Sequence, residues 1–594
     1  MVTVACGAVV CASLASAAPV AVAATAIPIV HVSDDSLTDS GPQHATEIES
    51  ALAGDGSKVV GAYEVGRWSG GGSAAAVGFA TSADGGSTWT HGLLPGITGE
   101  TPADPGPYAR VVDENVAYDA AHATWLIGSV AVDLVGSSYT EVAAAVSRSA
   151  DGTTWSDPVT VDASGQPDKQ WTTCDNSVAS LHFGTCYMAY RSDTVGTGPI
   201  RVARSSDGGA SWSTPVTTGI ASGYNAQPIV RPDGTLVVVA TDVGEHTLLA
   251  TRSTDGGRTF APPVTMAAMV HRKPDGLRVF FKPSVGMTSS GTVWVAWADC
   301  AFRTSCGRND IVTASSADGT TWTAPARVPI EPMTSTIDHV TPVLAVDPAS
   351  GTVGIKYDEI PNMPCGAASQ PTCQVEAAFV STTDGGAHWA DRSTVGPAAL
   401  GYQLPNTPQG FMPGNYEGLT YVGGVAIALF RIAAPRSGST YDVSMNAALV
   451  SPAPPPSSDG AAAAGTSDGG TGSSAPGSQP ASGTGPTPAG VGTTSPRLVQ
   501  LLAPRTVRVR RGRFALQVRF APEAPAGTAR PTILAGRKQI GSMRLRVRPG
   551  HTVKVTFILT RSGLRKLEKA HKLKVTARIA VGATKAQRTL TLRG

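Results

Sequence analysis

Carboxylates placed beside Tyr, Arg and Lys recur along this 594-residue chain. Tyr416-Glu417, Tyr357-Asp358 and Asp168 offer the groups that cleavage of a glycosidic bond requires: a proton donor, and a nucleophile or base facing the charge that develops on the sugar. Lys169, Arg191, Asp193, Lys282, Asp299, Arg303, Asp338 and His339 are the polar groups available to hold such a substrate. Glu47, Asp113, Glu114, Tyr190 and Glu359 extend the set. Taken singly, each is more often a solvated loop end than a site residue. Other chemistries lack their motifs: there is no G-x-S-x-G elbow, no phosphate-cradling glycine loop before a helix and no H-E-x-x-H helix. No cofactor or metal site is expected. Calcium would suit the carboxylates, but no EF-hand-like loop supports it.

The elements that must position these groups are repeats. One motif occurs six times: Ser82-Ala-Asp84-Gly-Gly-Ser-Thr-Trp89, then around Asp151, Asp207, Asp255, Asp318 and Asp384, each ending in Trp or Phe. Alternating or β-branched runs precede the copies, so each reads as a turn between two strands. The Asp accepts turn N–H groups and the glycines supply positive φ. The six aspartates are therefore assigned to structure rather than catalysis. Spacings of 48 to 67 residues, with about four strands per unit, predict an all-β chain built as a seven-bladed β-propeller, with six blades as the alternative. A seventh unit without a box, at 418–449, is one strand short. Ile27-Pro-Ile-Val-His-Val32 could supply that strand and close the ring.

The repeat resembles the Asp-box, or BNR, repeat of the sialidase-like propellers over about 27–452. Asp168-Lys169-Gln170-Trp171 and Asn415-Tyr416-Glu417-Gly418 are similar to strings of a secreted bacterial branch. The resemblance implies an exo-α-sialidase or related glycoside hydrolase acting on acidic glycans. It also implies a Tyr nucleophile with a Glu partner, an Asp acid/base and three arginines on the substrate carboxylate. The family's Arg-Ile-Pro is absent ahead of the first box, where only Arg67 stands; Arg191, Arg303 and Arg431 are the arginines left to converge. The alternative function is a non-catalytic propeller that binds glycans or proteins at the cell envelope.

Composition sets the rest of the organisation. Residues 1–26 form an Ala/Val-rich run with small-residue cleavage options, read as a signal peptide with a membrane anchor as its rival. The propeller is assigned to 27–450. Beyond that run the six cysteines fall into close pairs, Cys174/Cys186, Cys300/Cys306 and Cys365/Cys373, which in an exported chain read as three local disulfides. Residues 451–495 are nearly all Pro, Gly, Ser, Ala and Thr, a disordered linker. Residues 496–594 hold 24 of the 46 basic residues but only 2 of the 44 acidic ones, leaving 22 basic and 42 acidic before them. Period-2 runs such as Phe514-Ala-Leu-Gln-Val-Arg-Phe520 predict a small Ig-like β-sandwich here. With almost no aromatics, this basic unit suits anionic envelope polymers better than nucleic acid. The expected protein is secreted and monomeric. The isolated 496–594 fragment should sediment with cell envelopes at low salt and be released at high salt; a fragment that stays in the supernatant at low salt removes the anchoring role.

Overall fold

Every strand-forming run of the repeats becomes a strand in the computed structural model. The model describes residues 27–451, apart from 38–40, 71, 102–103, 136–137, 194–197 and 439, together with segments between 499 and 593. The chain divides into two units, Met1–Gly465 and Thr466–Gly594. The expected signal peptide lies outside the described residues, and so does the expected linker apart from Ser451.

In the first unit the strands form four-stranded antiparallel arrays: 48–93, 110–162, 167–217, 223–268, 284–327 and 338–394. A single bridge, Ala74↔Val111, joins the first two. A further array holds Gly418–Val422, Val425–Ala433 and Val443–Val450, and its outermost strand is Ile29–His31 from the start of the described chain. The strand missing from the last repeat is thus supplied from the other end. That array needs no box because no turn leads into its borrowed strand. The first strands of successive arrays lie side by side all the way round, that of the last against that of the first.

Second strands are apolar on both faces because they are covered on both. Leu236, Val238 and Ala240 pack toward Tyr187 and Val202 of the preceding array. Val237 and Val239 pack toward Val295 and Trp297 of the following one. This two-sided burial turns an alternating pattern into the run Leu-Val-Val-Val-Ala.

Each box lies between the third and fourth strands of its array. At the second box, Asp151 accepts the N–H groups of Thr153 and Thr154, both at 2.8 Å, and the Ser149 hydroxyl at 3.1 Å. Those backbone N–H groups hold its carboxyl far below the usual range. Gly152, at φ 79°, sits where a Cβ would meet Val60 and Thr81 of the preceding array. Trp155 packs beside Phe79 of that same array, ring centroids 5.9 Å apart. The other five boxes repeat this contact with the array before them. The box aromatics are core plugs.

The three expected disulfides are formed: Cys174–Cys186, Cys300–Cys306 and Cys365–Cys373. They fit an oxidising compartment. Among the described residues no helix is long and apolar enough to cross a membrane. In the second unit, Val499–Leu502, Arg513–Phe520 and Thr552–Ile558 form one sheet. Thr506–Arg508, Thr584–Arg593, Lys572–Val581, Thr532–Ala535 and Lys538–Ser542 form another. A ten-residue helix, Arg561–Ala570, lies between Thr552–Ile558 and Lys572–Val581 in sequence.

Where the borrowed strand meets the last array, Glu47 is buried and accepts a hydrogen bond from the Ser33 hydroxyl at 3.0 Å. Burial pushes its carboxyl up to about 8, the Ser33 bond opposes this, and Asp35, Asp34 and Asp442 add to it. The fold therefore prefers the neutral acid. Relative to an unfolded value near 4.5, stability is fully present below that value and is lost as pH climbs toward 8. Glu47→Gln should raise Tm by a few °C at pH 8.5 and hardly at pH 4.5, measured by thermal denaturation.

Candidate active site

Five of the first strands break register at the same place. The shifts fall between Ile48 and Ala51, Val112 and Asn115, Asp168 and Trp171, Tyr224 and Gln227, and Val340 and Val343. In each bulge one residue takes positive φ: Glu49 at 56°, Asp113 at 61°, Lys169 at 54°, Asn225 at 53° and Thr341 at 53°. A bulge lets two residues oppose one and re-aims the side chain. The five re-aimed groups are polar, and Asp113 and Lys169, together with Gln227 and Ser284 nearby, staple neighbouring first strands. Asp113 accepts both the Lys169 N–H, at 3.1 Å, and its ammonium, at 2.9 Å. Gln227 accepts the Val285 N–H at 3.0 Å, and Ser284 that of Leu344 at 2.9 Å. Glu49 accepts the Asn415 N–H at 3.0 Å.

A cavity of about 320 Å³ opens among these residues, lined by Glu49, Arg67, Tyr139, Glu141, Asp168, Lys169, Tyr224, Arg278, Phe280 and Gln409, with smaller neighbours. Arg67 is buried and donates to Glu64 and, at 3.4 Å, to Glu49. Burial works against its charge, but those two carboxylates hold it. Burial also raises the carboxyls of Glu64 and Glu114, and neither Glu114 oxygen has a hydrogen-bond partner. Arg278, half-buried, donates to Gln409 Oε1 at 3.1 Å and to the Met412 sulfur at 2.6 Å. Among the described residues no carboxylate forms an ion pair with it. Asp168 is pushed up to about 7, chiefly by burial; Lys169, 3.7 Å away, opposes this while Asp113 and Glu141 add to it. It therefore exchanges its proton around neutral pH while facing the cavity.

A second cavity, about 140 Å³, is lined by Trp171, Lys282, Tyr416 and Glu417 among others. The Lys282 ammonium lies 3.7 Å from the centroid of the Trp171 ring and 4.3 Å from that of Tyr416. Burial pushes Lys282 down to about 7, with Asp113 opposing. The Tyr416 hydroxyl has no hydrogen-bond partner, and burial raises it well above its ordinary value.

Of the sequence-predicted groups, Asp168 and Lys169 reach the large cavity, and Lys282, Tyr416 and Glu417 the small one. Arg191 pairs with Asp193 at 2.8 Å and packs against Tyr224 of the cavity wall. The others go elsewhere. Tyr357 and Asp358 are neighbours on a strand, so they face opposite ways. Tyr357 donates to Glu359 at 3.1 Å, while Asp358 enters a buried ion cluster. There Lys356 pairs with Asp358 at 2.7 Å and with Glu417, and Arg431 with Glu417 at 2.6 Å and Asp358 at 3.1 Å. Arg303 grips Asp310 with two bonds, at 2.7 and 2.6 Å. Asp299 accepts the Trp297 indole N–H at 3.0 Å, and Asp338 accepts the N–H and side chain of Asn309. His339 lies beside Glu331. Tyr190 donates to Asp162 at 2.6 Å. Arg191, Arg303 and Arg431 thus serve three separate places, and the guanidiniums that share a cavity are Arg67 and Arg278. Arg278, Phe280 and Tyr224 sit at an irregular connection and a bulge, where no periodic pattern announces a site.

Residues 40–273, which span the first four arrays, match the family described as BNR repeat-like domain. A comparison with curated proteins finds no match. Among solved structures, a Hadza microbial sialidase is similar at 20% identity over 53% of this chain, with a TM-score of 0.37. This chain spans 65% of that sialidase, just under two thirds of its length. The NanB sialidase of Streptococcus pneumoniae is 12% identical over 71% of each chain, with a TM-score of 0.37. A polysaccharide lyase described as an ulvan lyase is 12% identical over 70% of this chain and 95% of its own, with a TM-score of 0.42.

The ion cluster makes its own prediction. Lys356→Met leaves Glu417 and Asp358 buried against Arg431 alone, and removing one partner of such a cluster costs about 3–5 kcal/mol. Urea unfolding should show a loss of that order.

Proposed function

From a BNR repeat-like domain whose first strands surround a mixed-charge cavity, we propose that this chain is a secreted, seven-bladed propeller that acts on glycans bearing an acidic sugar. The observation that carries the reading is the pairing, in one cavity, of a cation without a carboxylate partner, Arg278, with a carboxyl, Asp168, that burial raises toward neutrality. Arg278 and Lys169 hold the substrate carboxylate, and Tyr224 and Phe280 offer faces for the ring. Asp168 gives its proton to the glycosidic oxygen as the carbon–oxygen bond breaks. Glu141, on the same wall, is the second carboxylate: it takes a proton from the water whose oxygen bonds to the sugar carbon, so the leaving alcohol and the new sugar hydroxyl complete the hydrolysis. Tyr416 is left outside the chemistry, since its hydroxyl has no base to accept its proton.

The rest of the chain follows the same reading: signal peptide 1–26, linker 451–495, and a basic Ig-like sandwich at 496–594 that meets anionic envelope polymers. The protein works as a monomer. A second reading, glycan capture without turnover, is favoured by the internal neutralisation of Arg67 by Glu64 and Glu49 and of Lys169 by Asp113.

Steady-state kinetics on fluorogenic α-sialosides and β-glucuronides test the proposal. Asp168→Asn should lower kcat about a hundredfold or more with KM nearly kept. Arg278→Gln should raise KM more than tenfold with kcat nearly kept. Because Asp168 acts protonated, wild-type activity should fall as pH rises through about 7. Calorimetric binding of an acidic oligosaccharide without turnover selects capture; neither turnover nor binding sinks both readings.

A further inference from the structure

Away from both cavities, three side chains of ligand type converge. Glu331 lies on the loop after the strand Ala326–Arg327, His339 on the strand Asp338–Val346, and Glu359 directly across from His339 on Val353–Ile360. One ligand atom from each lies within 4.8 Å of the other two. His339 and Glu359 are wholly buried.

The histidine tautomer is set from behind. Its Nδ1 lies 3.0 Å from the Asn309 carbonyl oxygen, which can only accept, so the ring donates there. Nε2 is left with a lone pair, in the interior and without a hydrogen-bond partner. It lies 3.6 Å from Glu331 Oε1. A bare imidazole lone pair facing carboxylate oxygens is repulsive unless a proton or a cation stands between them. A carbonyl-oriented histidine with supported carboxylates is also how metal ligands are held. Here Ser335 donates to Glu331, and Tyr357 donates to Glu359 at 3.1 Å.

We propose that Glu331, His339 and Glu359 form a binding site for a divalent transition metal of the Zn²⁺ class, independent of the glycan reading. The imidazole nitrogen disfavours Ca²⁺ and Mg²⁺, which prefer oxygen ligands, and three protein ligands leave a fourth position for water. Arg392 is the resident competitor. Its Nε lies 2.7 Å from both Glu359 oxygens, and its side chain is one-third exposed with Glu376 3.4 Å away, so it can turn aside. An ion here ties the 331 loop to two strands of the adjacent array.

The test is titration of the EDTA-treated full-length protein with Zn²⁺ by calorimetry and with Co²⁺ by visible absorption. One equivalent should bind, and excess Ca²⁺ or Mg²⁺ should not displace it. His339→Gln and Glu331→Gln should each weaken binding more than tenfold, whereas Arg392→Gln should tighten it by removing the competing cation. If His339→Gln loses its native circular dichroism, Glu331→Gln decides, because Glu331 is on a loop and only half-buried. Uptake unchanged in the ligand variants overturns the proposal. Absence of stoichiometric uptake in both wild type and Arg392→Gln also overturns it, leaving a proton as the bridge.

Discussion

The first strands can gather charge at the middle of the unit only by breaking their own hydrogen-bond ladders. At Glu49, Asp113, Lys169, Asn225 and Thr341 the backbone enters the left-handed region, which costs on the order of 1–3 kcal/mol for a residue other than glycine. Thr341, being β-branched, is the least suited of the five. Such strain persists only where the surroundings over-determine it. The surroundings here are hydrogen bonds between neighbouring arrays, among them Asp113 to Lys169 on the next first strand and Glu49 to Asn415 just ahead of Gly418–Val422. Of these, Glu49 and Lys169 also line the large cavity. Neutralising partners keep most of the buried charges tolerable, and Arg278, which has no carboxylate partner among the described residues, is left to meet a ligand.

What holds the arrays at the spacing this requires is the set of Asp-box corners. Each carboxylate fixes a turn by local N–H groups, and the turn delivers one glycine and one aromatic against the array before it. The contact is tight enough at Gly152 that a methyl group would collide with Val60. The corner is therefore a joint between neighbours as much as a cap on its own hairpin. This accounts for the joint use of Asp, Gly and Trp within eight residues, since each supplies a different part of one joint.

This division of labour explains what could be read in advance. The corners are local, so their Asp-Gly spacing appears directly in the chain, and the disulfide pairs are legible for the same reason; the borrowed strand at Ile29–His31 is legible only because the last unit is one strand short. The cavity is made of residues fifty or more positions apart whose aim depends on a one-residue slip in register. Period-2 reasoning marks Asp168 and Lys169 as polar ends of a strand, but it cannot tell that Arg303 turns to Asp310 while Arg278 remains without a carboxylate partner. Tyr357 and Asp358 mislead for a plainer reason. Adjacency along a strand means separation across it, so Tyr357 joins Glu359 and His339 while Asp358 joins Lys356.

The strand Ile29–His31 completes its array beside Val443–Val450, more than four hundred residues away. No shorter stretch of chain can make that contact, so the loop it closes is nearly the whole unit, and its entropic cost is met only once the intervening arrays have formed. Whatever the order in which the arrays form, Ile29–His31 must wait for Val443–Val450. Until they meet, the edge of Val443–Val450 stays open, and an edge of that kind is where a second copy would pair in error.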